Sequence, residues 1–185
     1  MTLIYDFAYT YNSQFNALYI IGNYLPLKQQ YMAHNLINYI QRCKAFYDLT
    51  NIELYAILRL RNEVFVVEQN CVFQDADNKD QKCYHLMLWQ DSMLAAYARL
   101  VPAGLSYKEV SIGRIITSAA VRRTGTGAIL MQHALEESQR LFGNTPIRIG
   151  AQVYAQPFYE KFRFNADGDV YDEDGIPHIE MVRTA

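Results

Sequence analysis

The hexapeptide Arg122-Arg-Thr-Gly-Thr-Gly127 constrains this chain more than any other segment. It joins an apolar stretch with strand character, Val110 to Thr117, to an amphipathic run, Gly125 to Leu141, whose apolar positions are Ile129, Leu130, Ala134, Leu135 and Leu141. Gly125 and Gly127 let the chain turn tightly and bring backbone N–H groups close to an anion with no Cβ in the way. The helix that starts there adds its positive dipole end, and Arg122 and Arg123 add full charges. Together these features describe a pyrophosphate cradle. Taken alone, the segment also reads as a glycine-rich turn with two solvated arginines. It is neither a Walker loop nor a dinucleotide-binding Gly-x-Gly-x-x-Gly turn.

The rest of the chain supplies a mixed pattern. Asn38 to Phe46 alternates loosely as a first strand, and Thr50 followed by Glu53 is a capping box. The helix that follows runs to about Val67, with Leu54, Ile57, Leu58, Val64 and Phe65 as its expected apolar side. Gln74 to Asp80 reads as a solvated acidic loop that attracts a basic substrate. Cys83 to Trp89 and Met93 to Leu100 form a hairpin around Gln90-Asp91-Ser92. Ile147 to Gln152 is a short strand, Ala155 to Phe162 a short helix, and Asp169 to Val182 a last hairpin through Asp172-Glu-Asp-Gly175. This order predicts an α/β fold: one mixed, mostly antiparallel sheet flanked by helices.

Residues 1–35 differ from this pattern. The first 50 residues hold five charged side chains but eight of the fifteen tyrosines. The stretch to Ala33 has no sustained apolar period, so it reads as an N-terminal extension, with Met32 a candidate native start and residues 36–185 the domain. The other reading is one more helix or strand packed on that domain. The formal charge is −2, which gives no electrostatic reason to expect nucleic acid or an anionic membrane as partner. Three cysteines, with no Cys-x-x-Cys pair, fit a reducing, cytoplasmic setting better than a disulfide framework. Cys71, Cys83, His85 and His178 match no zinc spacing, and Asp75, Asp77 and Asp80 lack the glycine of a calcium loop; no metal is expected.

A second chemical motif is Ala155-Gln-Pro-Phe-Tyr-Glu-Lys-Phe-Arg-Phe164. A tyrosine near the start of a short helix, beside a strand end, is placed to donate a proton in a cleft. Its plainer reading is a core aromatic with a satisfied hydroxyl.

These two motifs, in order and about thirty residues apart, resemble the GNAT superfamily of acetyl-CoA-dependent N-acetyltransferases. Leu60-Arg-Asn-Glu-Val-Phe-Val-Val-Glu-Gln69, Gly113-Arg-Ile-Ile-Thr117 and Asp172-Glu-Asp-Gly-Ile-Pro-His178 are similar to its ElaA-like branch. One departure is Arg163, where the family has a glycine. The resemblance implies acetyl transfer to a small-molecule or protein amine through a tetrahedral intermediate. It implies that Ile115, Ile116 and Thr117 meet the pantetheine arm through their backbone. Arg122, Arg123, Thr124, Gly125, Thr126 and Gly127 would hold the pyrophosphate, and an amide near Ile116 would face the oxyanion. Tyr159 falls at the general acid. The general base is not fixed: His178 is preferred, Glu68 second, and His85 also stands. Glu68 shares a helix face with Arg61, so an ion pair between them is the competing reading. A homodimer is compatible with the resemblance, and a catalytically silent acetyl-CoA-binding module is the alternative function.

Overall fold

The computed structural model describes residues 38–185; the expected extension over 1–35 lies outside them. Eight strands form one sheet: β1 (Ile40–Ala45), β2 (Tyr84–Gln90), β3 (Met93–Val101), β4 (Val110–Thr117), β5 (Ile147–Gln152), β6 (Asn165–Ala166), β7 (Tyr171–Glu173) and β8 (Ile176–Arg183). Their order is β1-β2-β3-β4-β5-β8-β6, with β7 also on β8. Every pairing is antiparallel except β4 with β5. Among the described residues three α-helices flank the sheet: α1 (Asn51–Arg61), α2 (Thr126–Phe142) and α3 (Gln156–Glu160). The architecture is the mixed, mostly antiparallel α/β fold that the patterning predicts.

The alternation of strand side chains divides the core. Leu86 and Leu88 of β2 pack with Leu130, Met131 and Ala134 of α2. Met87 and Trp89, one residue out of phase, pack on the other face with Ile57, Leu60 and Val64 of the α1 segment. Full burial of each such side chain stabilises the fold by about 1.5–3 kcal/mol. Two-residue turns make the hairpins: Gln90 pairs with Met93 around Asp91 at φ +52°, and Glu173 pairs with Ile176 around Asp174 and Gly175, both at positive φ.

At the start of α1, Thr50 Oγ1 accepts from the Glu53 amide at 3.2 Å and Thr50 N donates to Glu53 Oε2 at 2.9 Å, the reciprocal capping box. Glu53 also accepts from Lys44 and Arg42 of β1, which ties the helix start to the sheet edge. Beyond Arg61 the helix widens into a π-helical stretch, Asn62–Glu68.

The apolar side of α1 differs from the expected one. Leu58 is 39% exposed, whereas Leu60 and Arg61 are buried beside Ile57 and Val64. The stripe follows positions 57, 60, 61 and 64, and it can include Arg61 because that charge is paired in full. Arg61 Nε donates to Asp75 Oδ2 at 2.7 Å, and Nη1 to both oxygens of Asp80 at 2.9 Å. Arg61 therefore does not pair with Glu68. The same contacts correct the reading of Gln74 to Asp80 as a solvated loop. Arg99 of β3 holds Asp77 through two 2.7 Å bonds and Asp80 through a third. Three aspartates and three arginines (Arg61, Arg99 and Arg114) neutralise one another, so the loop presents little free charge to a basic substrate.

Candidate active site

β4 and β5 pair at only two positions, Val110 with Ile147 and Ser111 with Arg148. After that, β4 stays with β3 and β5 stays with β8. The strands part, and a cleft of about 790 Å³ opens between them. A bulge in β4 accompanies the divergence. Tyr97 pairs with Ile116 and Arg99 with Gly113, so β4 carries one residue more than β3 between these rungs. Arg114 absorbs it with φ +52°. A bulge bends its strand and strengthens the local twist, which swings the end of β4 away from β5. The β4 edge facing β5 is thereby left with backbone polar groups that no strand pairs beyond Ser111.

Arg114 is held from several sides. Its Nε donates to Asp75 Oδ1 at 2.6 Å, its Nη2 to the Asp75 carbonyl at 3.3 Å, and its guanidinium lies over the rings of Phe65 and Phe73. On the β5 wall, Gly150 has no side chain, and a Cβ there would lie 3.0 Å from the hydroxyls of both Tyr107 and Tyr171. Glycine inside a strand marks a close approach of this kind. That signal was present in the sequence, yet nothing there pointed to the two tyrosines.

After β4 the chain makes a short 3₁₀ turn, Ala119–Val121, then runs through Arg122–Gly125 into α2. Arg123 at φ +62° and Gly125 at φ +91° curl the backbone. The amides of Arg123, Thr124, Gly125, Thr126 and Gly127 donate to no backbone carbonyl of the described residues. Five free N–H groups at the start of a 17-residue helix are suited to an anion. The threonine hydroxyls instead brace the turn: Thr124 Oγ1 donates to the Val121 carbonyl at 2.7 Å and meets Thr126 Oγ1 at 2.7 Å. Ile115, Ile116, Thr117 and Arg122 line the cleft, while Arg123 to Gly127 form the turn next to it without lining it.

Tyr159 of α3 lines the cleft. Its ring packs edge-on against Phe158 and Phe164. Burial pushes its hydroxyl pKa well above the ordinary tyrosine value, so it is a protonated donor at neutral pH. The turn after α3 takes the shape a glycine favours even though arginine stands there: Arg163 has φ +65°.

His178 of β8 also lines the cleft, opposite Gln152 of β5. Its Nδ1 lies 2.8 Å from the Ile176 carbonyl, and its ring stacks on Tyr171 at 5.9 Å. A carbonyl only accepts, so Nδ1 carries the proton and Nε2 keeps its lone pair in the neutral ring. Glu68 lines the cleft too, but Arg122 grips it in a fork, Nη1 to Oε1 and Nη2 to Oε2, both at 2.6 Å. That bond holds the Glu68 carboxyl below the usual carboxylate range, which makes it a weak base. His85 is buried, with Nδ1 2.8 Å from the Tyr97 hydroxyl and Nε2 3.1 Å from the Asp80 carbonyl, and it does not line the cleft. Gln69 and Gln152, which motif reading did not single out, meet at 3.4 Å and join the end of the π-helical stretch to β5.

Among the described residues no group of three or more His, Cys, Asp or Glu side chains is arranged to hold a metal. No described helix is long and apolar enough to cross a membrane.

Residues 59–185 match the family model described as an acetyltransferase (GNAT) domain. Protein ElaA of Escherichia coli is 43% identical over 138 residues, 74% of this chain and 90% of the relative. A UPF0039 protein of Schizosaccharomyces pombe is 44% identical over 140 residues, 75% of this chain and 92% of the relative. Among solved structures, an acyl-CoA N-acyltransferase from Pseudomonas aeruginosa superposes with a TM-score of 0.77 at 44% identity, covering 80% of this chain and all of that one. Escherichia coli ElaA superposes with a TM-score of 0.75 at 39% identity, covering 79% and 99%.

Proposed function

Since this chain belongs to the GNAT acetyltransferase family, we propose that it transfers an acetyl group from acetyl-CoA to an amine, on a small molecule or on a protein. The observation that carries the reading is the parting of β4 and β5 after Ser111, with the free-amide turn Arg123–Gly127 beside the opening. An unpaired strand edge at Ile115, Ile116 and Thr117 suits the amide groups of a pantetheine arm, which would lie along it like a further strand. The turn amides, the start of α2 and Arg122 suit the pyrophosphate.

In this reading the backbone near Ile116 faces the thioester carbonyl and stabilises the negative charge that develops on its oxygen. His178 takes, on the lone pair of Nε2, the proton that the acceptor ammonium must lose before the neutral amine attacks. Tyr159 gives its proton to the departing thiolate as the carbon–sulfur bond breaks. Glu68, which also lines the cleft, is the second candidate for the base.

The test pairs calorimetry with acetyl-CoA and a thiol-release assay against a panel of amines. The expected result is micromolar binding that weakens with salt, and continued CoA release with at least one amine. Gly125→Asp should abolish binding, because a carboxylate would stand where the pyrophosphate sits and the left-handed backbone would be strained. Absence of acetyl-CoA binding in the unaltered protein would overturn the proposal.

A further inference from the structure

We propose that Glu68 competes with the pyrophosphate of CoA for Arg122, so that this carboxylate sets how tightly the cosubstrate is held. The proposal rests on the reading of Arg122–Gly127 as the pyrophosphate site. Glu68 and Arg122 come from distant parts of the chain, the end of the π-helical stretch and the start of the turn, and both line the cleft. Their contact is a two-pronged fork with both bonds at 2.6 Å.

That geometry uses the terminal edge of the guanidinium, one of the two edges that can take a pair of phosphate oxygens. A phosphate and the Glu68 carboxylate cannot both take it. Nor can they sit beside one another without cost, because each is an anion and the pyrophosphate carries a charge on each of its phosphates. The turn amides still attract the pyrophosphate whether or not Arg122 is free, so binding proceeds and Glu68 is the group that gives way.

The surroundings make that exchange easy. The two side chains are 36% and 44% exposed, and the Glu68 carboxylate makes no other hydrogen bond among the described residues. An ion pair in contact with water is worth only a modest factor in an equilibrium constant. Without CoA, the fork ties the π-helical wall of the cleft to the phosphate turn. With CoA bound, Arg122 turns to the pyrophosphate and the tie is released. Glu68 thus lowers affinity for the cosubstrate and eases release of free CoA, the product that carries the same pyrophosphate.

Calorimetry with CoA tests this on the full chain. Glu68→Gln should tighten binding by about 3–10-fold. Glu68→Asp keeps the charge but shortens the reach, and should fall between the two. Arg122→Gln should weaken binding, and adding Glu68→Gln to it should then change little, because the contested group is gone. If Glu68→Gln binds CoA no tighter than the unaltered protein, the competition is refuted. If it binds more weakly, Glu68 orients Arg122 toward the phosphate instead and the proposal is equally refuted. Failure of the unaltered protein to bind CoA at all would remove the underlying reading, a result distinct from either.

Discussion

Arg114 donates to Asp75 Oδ1 at 2.6 Å, and through that carboxylate the bulge of β4 is tied to the buried Arg61 of α1, which holds Oδ2 at 2.7 Å. The cleft wall is therefore set by charges supplied from outside the strand as well as by its own ladder. Phe65 and Phe73 flank the same guanidinium, so its position is fixed in every direction that bears on the bulge.

This arrangement has a measurable consequence. Arg114 sits at φ +52°, a conformation that costs a non-glycine residue about 1–2 kcal/mol. Arg114→Gly loses the ion pair but also that strain, whereas Arg114→Ala loses the pair and keeps the strain. Glycine also frees more of the unfolded chain, so the alanine variant should be about 0.5–1 kcal/mol less stable than the glycine variant in urea denaturation. Equal midpoints would mean that the bulge does not hold a left-handed residue in solution.

Tyr159→Phe keeps the ring among Phe158 and Phe164 while removing the proton donor. Turnover should fall by about 10²–10⁴-fold, with acetyl-CoA affinity and melting temperature nearly unchanged. Turnover within about threefold of the unaltered protein would assign the ring to packing alone.

The wall at Gly150 admits a methyl group only if two tyrosine hydroxyls give way by a few tenths of an ångström. Gly150→Ala places a Cβ 3.0 Å from the hydroxyls of Tyr107 and Tyr171, which must shift. Because both contacts are with side-chain ends, the cost should be about 1 kcal/mol or less, the low end for overpacking. The cost should shrink when Tyr107→Phe and Tyr171→Phe are added, since both offending oxygens are then gone. A cost that persists in the triple variant would place the strain in the backbone.

Arg163 is exposed and left-handed, at φ +65°. Arg163→Gly removes the strain but frees more of the unfolded chain, and the balance should favour the native state by about 0.5–1 kcal/mol. A lower melting temperature for this variant would show that the arginine side chain earns its place through contacts of its own.

Acid should weaken the start of α1. Burial alone would raise the Glu53 carboxyl, but hydrogen bonds from Thr50, Lys44 and Arg42 outweigh it and hold the pKa at about 2, below the ordinary value of 4.5. A depressed carboxylate contributes its stability above the unfolded pKa and loses it as the pH falls toward the folded one. Glu53→Gln should cost about 1–2 kcal/mol at pH 7, a difference that shrinks as the pH drops from 4.5 to 2 because only the unaltered protein titrates Glu53 there. The unaltered protein should lose stability across that window. Parallel stability curves for the two proteins would remove Glu53 from the account.

The amino-acid sequence by itself determined the elements whose signals are local. The capping box at Thr50 and Glu53, the hairpin turns at Asp91 and at Asp174-Gly175, and the strand–turn–helix around Arg122–Gly127 depend on neighbours a few residues apart. Strands and helices follow from apolar period, and the order of motifs was enough to suggest the family. What only the tertiary structure decided is which charges meet. Arg61 could reach several carboxylates along the sequence, and burial selected Asp75 and Asp80 rather than Glu68. Glu68 was left to Arg122, on another segment altogether. The bulge at Arg114 and the two tyrosines over Gly150 belong to the same class. Such contacts form between residues far apart in the chain, where a charge or a hydroxyl carries no mark of its partner until folding brings the two together and excludes the water that would otherwise satisfy them.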